Sequence, residues 1–225
     1  MKLLLCVEAI GQLEDALQHF GAVAVKEASH PYLYTASVLH HEVDILETGY
    51  GLFQTTFKMT RTLSRQKYHL ALKLSRAMAY KAELSPGMVL NIVNEKPGDT
   101  GVLEGGEWKD LYDLNRLQRE EYPQVRGGFI NLTNAYMNVF LPFKKVVGLT
   151  VNTAGNAALT ELRREKYKAD AETADGLGFV YPCLFDKQSF YHLGIVEKNL
   201  ATGEENVHLA TQNLNQTLID LIQKL

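Results

Sequence analysis

The feature that most constrains the fold is an alternation of short apolar runs with segments of helical period, sustained along a chain of 225 residues. Leu3 to Val7 is an uninterrupted apolar run that meets Glu8. It is too short for a secretory apolar core or a membrane span, and it reads as a buried first strand. Leu13, Ala16, Leu17 and Phe20 then keep the i, i+3, i+4, i+7 spacing of an amphipathic helix ending at Gly21. Strands over 32–39 and 43–47 precede a helix over about 52–65, with Phe53, Phe57 and Leu63 as its expected inward positions. Further strands fall at 70–74, 88–93, 145–151 and 190–196. Helices fall at 157–166, after Gly176, and at about 206–224, where Leu214, Leu218, Leu221 and Ile222 share one face. Strands and helices in alternation predict an α/β class: a mixed, mostly parallel twisted sheet flanked by helices.

The length suits one α/β domain spanning 1–225. Between about 95 and 130 the pattern lapses into a polar stretch punctuated by six glycines. One helix is expected there around 110–120, and the segment reads as a loop-rich excursion without a core of its own. A formal net charge of −3 offers no general attraction to nucleic acid or to an anionic membrane. Cys6 and Cys183 lie in apolar runs without metal-ligand spacing, so they read as buried reduced thiols of a soluble cytoplasmic protein. His40-His41-Glu42 lacks distant partners at metal spacing, and Ser75 and Ser189 lack a nucleophile-elbow context. His192 reads as a packed strand residue. Trp108, Tyr112 and Tyr122 would cover a ligand, serve an interface, or form a small local core under the loops. Neither a metal nor a cofactor is called for.

Ligands of such sheets bind outside the carboxyl ends of the strands. Two segments meet that condition. Glu47-Thr48-Gly49-Tyr50-Gly51 ends a strand, and Gly49 and Gly51 allow close approach of backbone to a ligand. Asp170-Ala171-Glu172-Thr173-Ala174-Asp175-Gly176 leads into the apolar helical run that follows. Ionised carboxylates are acceptors only and pair well with the hydroxyls of a polyol. Local composition alone favours solvated loop acids, with Asp175 in a first helical turn.

The second segment resembles the Val-Glu-Ser-Met-Glu-Gly-Ala motif of the nucleoside phosphorylase and nucleosidase superfamily, most fully its futalosine hydrolase-like members. Glu172 and Gly176 match, Asp175 stands where the family has its ribose-gripping Glu, and Ala174 replaces the Met. The resemblance extends in patches over nearly the whole chain. It takes in Glu47 to Gly51, Gly148-Leu149-Thr150-Val151-Asn152-Thr153, and Gln212 to Ile219. It implies a three-layer fold, a purine nucleoside or futalosine-like ligand, hydrolysis of an N-glycosidic bond, and a homodimer. Gly49, Tyr50, Gly51, Arg76, Glu172 and Ala174 are the expected substrate-binding positions.

The chemical positions depart from the family. An ungapped reading puts Gln12 where the family has its water-activating Glu, and an amide cannot serve as a general base at neutral pH. Counting from Gly176 puts Gly194 at the family's Arg and Lys198 at its Asp or Asn, with Glu197 beside it as a possible substitute acid. Lys73-Leu74-Ser75-Arg76-Ala77-Met78 replaces a small-residue turn of the Asn-Ala-Gly type, so Lys73 and Arg76 are expected to fill the crevice, bind an anion or snorkel to solvent. If the protein is active, Asp175 would hold the ribose, Glu172 would support it, and Glu8, Glu14 or Glu197 would replace the missing acid and base. The expectation is an inactive or weakened nucleosidase. The alternative is a non-catalytic nucleoside-binding protein or a structural subunit partnering an active paralogue.

Overall fold

The computed structural model describes residues 1–153 and 157–225. In chain order its elements begin with β1 (Lys2–Val7), a 3-10 turn (Ile10–Leu13), α1 (Glu14–His19), β2 (Val25–Glu27), β3 (His30–Val38) and β4 (His41–Glu47). There follow α2 (Leu52–Leu63), β5 (Leu70–Ala79), β6 (Val89–Pro97), β7 (Gly101–Glu104), β8 (Glu107–Asp110), β9 (Phe129–Ile130) and α3 (Met137–Phe140). The last third supplies β10 (Lys144–Thr150), α4 (Ala157–Tyr167), β11 (Ala171–Thr173), α5 (Gly176–Phe185), β12 (Phe190–Asn199) and α6 (Val207–Lys224).

One mixed sheet runs β11-β10-β6-β12-β5-β1-β4-β3-β2, with β9 added on β6. The run β4-β1-β5-β12 is parallel, whereas β12 meets β6 antiparallel. The far edge curls back, because β11 also pairs with the end of β5 and sets Glu172 opposite Met78. That closure brings the 170–176 segment onto the strand that carries Lys73, Ser75 and Arg76.

A period of two divides the sheet into two faces. Leu3, Leu5 and Val7 of β1, Leu70, Leu72 and Leu74 of β5, and Leu193 and Ile195 of β12 pack toward α6. Leu214, Leu218, Leu221 and Ile222 cover them as the spacing predicts, each burial being worth roughly 1.5–3 kcal/mol. Leu4, Cys6, Ala71 and Phe190 face the other way, against Met59 and Leu63 of α2 and Phe179, Val180 and Cys183 of α5. Lys73 and Ser75 continue the Ala71 row, and His192 the Phe190 row. Polar groups therefore enter the α5 face of the sheet beside this apolar packing.

Two expectations need correction. Phe53 and Phe57 do not point inward: they are 85% and 59% exposed, and α2 buries Thr55, Met59, Thr62 and Leu63 instead. Thr55 lies beneath the close crossing of α2 and α5, where a Cβ on Gly178 would stand 2.9 Å from it, so the small residues set the buried stripe. The helix expected over 110–120 is absent. Asp110 caps a series of turns there, its carboxylate accepting from the backbone N–H groups of Tyr112 and Asp113. The excursion otherwise holds the β7–β8 hairpin. Trp108 is buried and donates to the Tyr167 hydroxyl at 3.1 Å, and Tyr112 is buried too, while Tyr122 stays exposed. No helix among the described residues is long and apolar enough to cross a membrane.

Candidate functional site

A cavity of about 210 Å³ opens at the carboxyl ends of β1, β5 and β12, against the entry to α5. Its acids come from three directions: Glu8 after β1, Glu197 near the end of β12, and Glu172 and Asp175 from β11 and the turn into α5. Lys73, Ser75, Arg76, Ala77 and Met78 of β5 form the floor and one side. Tyr50, Val151, Thr173 and Ala174 complete the wall. The two segments separated by more than a hundred residues thus converge on one crevice.

Glu197 owes its place to a β-bulge. Val196 pairs with Ala77, but the next paired residue is Lys198, opposite Met78. One residue is extra, and the strand's side chains are re-aimed there. Glu197 turns into the cavity, whereas Lys198 leaves it and pairs with Glu205 at 2.8 Å. Lys198, given the chemical position by the ungapped reading, thus lies outside the cavity, and Glu197 lines it. Gln12 is likewise outside it. Its side-chain oxygen accepts from Ala9 N–H, closing the 3-10 turn, and its carbonyl accepts from Asn215. Glu14 is exposed on α1. The acid that reaches the cavity from this end of the chain is Glu8, four residues before Gln12, where the backbone is still leaving the strand.

Gly49 and Gly51 do not line the cavity. Both have positive φ, 71° and 87°, and they turn the chain from β4 into α2 so that Tyr50 stands at the rim. The segment from Lys73 to Met78 is not a turn but the second half of the ten-residue strand β5.

Both basic residues enter the cavity, and each is engaged by an acid. Lys73 is fully buried; its Nζ lies 2.5 Å from Asp175 Oδ2 and donates to Thr48 Oγ1 at 3.1 Å. Arg76 lies 3.2 Å from Glu197 and is 40% exposed, so that pair is solvated and weak beside the first. Glu172 accepts from the Tyr80 hydroxyl. Burial holds its carboxyl above the usual range, with that hydrogen bond and nearby Arg163 opposing the shift. Cys6, behind Lys73 in the core, is pushed up to about 12 by burial, which fits an inert thiol. No cluster of His, Cys, Asp or Glu suited to a metal occurs among the described residues.

Three participants were not legible as such in the sequence. Ser75 Oγ donates to Asp175 Oδ1 at 3.0 Å and lies 3.0 Å from His192 Nε2; His192 Nδ1 lies 3.3 Å from Glu95 Oε2. The one available signal was His192, a polar residue inside an apolar strand pattern; Ser75 and Glu95 fell just beyond the ends of the expected strands.

No protein-family model and no curated protein matches the chain. Solved structures do match over its whole length. A 5′-methylthioadenosine/S-adenosylhomocysteine nucleosidase from Colwellia psychrerythraea 34H, in complex with adenine, superposes with a TM-score of 0.79 at 15% identity, covering 100% of this chain and 96% of that one. A futalosine hydrolase mutant of Helicobacter pylori strain 26695 gives 0.79 at 12% identity, with both chains wholly covered. The Streptococcus pneumoniae nucleosidase in complex with 8-aminoadenine gives 0.78 at 14%, again with full coverage of both. The fold is that of these nucleosidases.

Proposed function

We propose that the protein is a nucleosidase that hydrolyses the N-glycosidic bond of a purine nucleoside or futalosine-like ligand, at a rate held down by ion pairs within its own site. The observation that carries this reading is the convergence of Glu8, Asp175 and Glu197 on one cavity of a nucleosidase fold. Glycosidic cleavage needs an activated water, a group that holds the sugar as it becomes cationic, and an acid for the departing base. In this reading Glu8 activates water, Asp175 holds the ribose hydroxyls with Glu172 supporting it, and Glu197 meets the base. The acids that the family pattern places elsewhere are rearranged: Glu8 serves in place of Gln12, and Glu197 in place of Lys198. Hydrolysis is preferred to phosphorolysis because Lys73 and Arg76 are already paired with carboxylates and leave little positive charge for a phosphate.

A second reading, a nucleoside-binding protein without catalysis, is favoured by those same pairs. Asp175 is one methylene shorter than a Glu and is bonded through both oxygens before any ligand arrives. For either reading we propose a homodimer through the apolar face formed by Phe53, Phe57 and Tyr181, a groove that adjoins α2 and α5 and is almost devoid of polar atoms.

The test is free-base release from futalosine, 5′-methylthioadenosine, adenosine and inosine, with stoichiometric protein, with and without phosphate, followed by chromatography. Release that needs no phosphate and disappears in Asp175→Ala supports the nucleosidase. Ligand binding without release supports the second reading.

A further inference from the structure

Asp175 occupies the N-cap of α5, the position from which an aspartate ordinarily accepts a hydrogen bond from the first-turn N–H groups. It makes no such bond. Two threonines do that work instead. Gly176 N–H donates to Thr173 Oγ1 at 3.2 Å, and Leu177 N–H donates to Thr150 Oγ1 at 2.7 Å. The Asp175 carboxylate is thereby released from the helix and turned onto β5.

What it meets there is an ordered line of buried groups. Ser75 has a single hydroxyl proton, and it goes to Asp175 Oδ1. The contact between Ser75 Oγ and His192 Nε2 at 3.0 Å must then be supplied by a proton on Nε2. On the far side of the ring, Nδ1 lies 3.3 Å from Glu95 Oε2, and no aligned hydrogen bond joins them. Glu95 is itself fixed, because its Oε1 accepts from the same Thr150 that caps α5, at 2.8 Å. Space is also reserved for it: a Cβ on Gly176 would stand 2.6–2.7 Å from the Glu95 carboxyl group, and one on Gly148 2.9 Å from Oε2. His192 is fully buried, Glu95 is 1% exposed and Ser75 is 4% exposed, so the line runs from the core to the cavity floor.

We propose that Glu95, His192 and Ser75 are positioning residues for Asp175: His192 Nε2–H donates to Ser75, Ser75 donates to the carboxylate that faces the ligand, and Glu95, held by Thr150, packs against the far edge of the ring. The assignment rests on the nucleosidase reading for what Asp175 does, and it adds three residues that the reaction itself does not require. A carboxylate held from two sides cannot swing back to cap α5. It keeps its remaining acceptor sites for sugar hydroxyls, and the arrangement costs no reorganisation when the ligand binds.

The test combines two measurements on the full chain. Nuclear magnetic resonance of histidine ring nitrogens should show His192 carrying its proton on Nε2. Ser75→Ala should move that signal, while Ser75→Thr, which restores the hydroxyl, should return it. Calorimetric titration with adenosine and futalosine should show an affinity lower by roughly 10²-fold in Ser75→Ala and largely recovered in Ser75→Thr. Bound ligand with unchanged affinity in Ser75→Ala, or a His192 signal indifferent to that substitution, overturns the positioning role and leaves the nucleosidase reading standing. A wild-type protein that binds none of these ligands removes both.

Discussion

At the scale of single residues, the site turns on which of two neighbours enters the cavity. Glu197 does so because a bulge adds one residue to β12 after Val196, and Lys198 is carried to the surface and Glu205. If Glu197 meets the departing base, Glu197→Gln should lower base release by about 10²–10⁴-fold, the usual worth of a general acid. Lys198→Ala should change it little, and single-turnover rates on the two variants check both. Glu172 supplies a second test at this scale. Burial raises its folded-state pKa, so the folded protein retains a proton that the unfolded chain has released. The stability associated with this group is fully present below the unfolded value of about 4.3 and is lost as pH rises through the folded one. Glu172→Gln abolishes that loss while keeping an acceptor for the Tyr80 hydroxyl. Its melting temperature relative to wild type should therefore climb as pH is raised from 4 to 8; a constant difference would contradict the assignment.

At the scale of elements, α5 joins fold and site. Its first turn is capped by Thr150 and Thr173, its N-cap aspartate faces the cavity, and its first residue must be glycine because Glu95 lies against it. Gly176→Ala would set a methyl group within bonding range of the Glu95 carboxyl. The cost should be about 1–3 kcal/mol by denaturant unfolding, from overpacking of a close-packed core. The same substitution at Gly11, where an added Cβ meets nothing within 4 Å, should cost a few tenths at most or nothing. Helix α2 shows the opposite case. Its phenylalanines have the spacing of a buried stripe, yet Thr55 is buried while Phe53 and Phe57 lie exposed. Periodicity established that a helix was present, and the narrow crossing with α5 decided which of its faces could be covered.

At the scale of the whole molecule, the exposed rings of Phe53 and Phe57 lie on the helix that follows Tyr50 of the cavity wall, and with Tyr181 they form the apolar groove of the proposed dimer. Phe53→Ser combined with Phe57→Ser should halve the mass measured by light scattering without lowering the melting temperature measurably, since neither ring is in the core. A wild-type protein that is already monomeric would remove that interface. The sequence by itself determined the α/β alternation, the buried first strand and the apolar face of α6, and it singled out the segment ending Asp175-Gly176, whose residues Glu172 to Asp175 line the cavity, because periodicity and local motif are properties of neighbours in the chain. Tertiary structure alone decided which side chains line the cavity. A bulge in β12 exchanged Lys198 for Glu197, a 3-10 turn diverted Gln12 and left Glu8 facing the cavity, and curling of the sheet set β11 against β5. Only then do Glu95, Ser75 and His192, far apart in sequence and on three different strands, come within about 3 Å of one another in a row. Strand register and sheet closure depend on packing between distant segments, and a shift of one residue reverses the direction of a side chain.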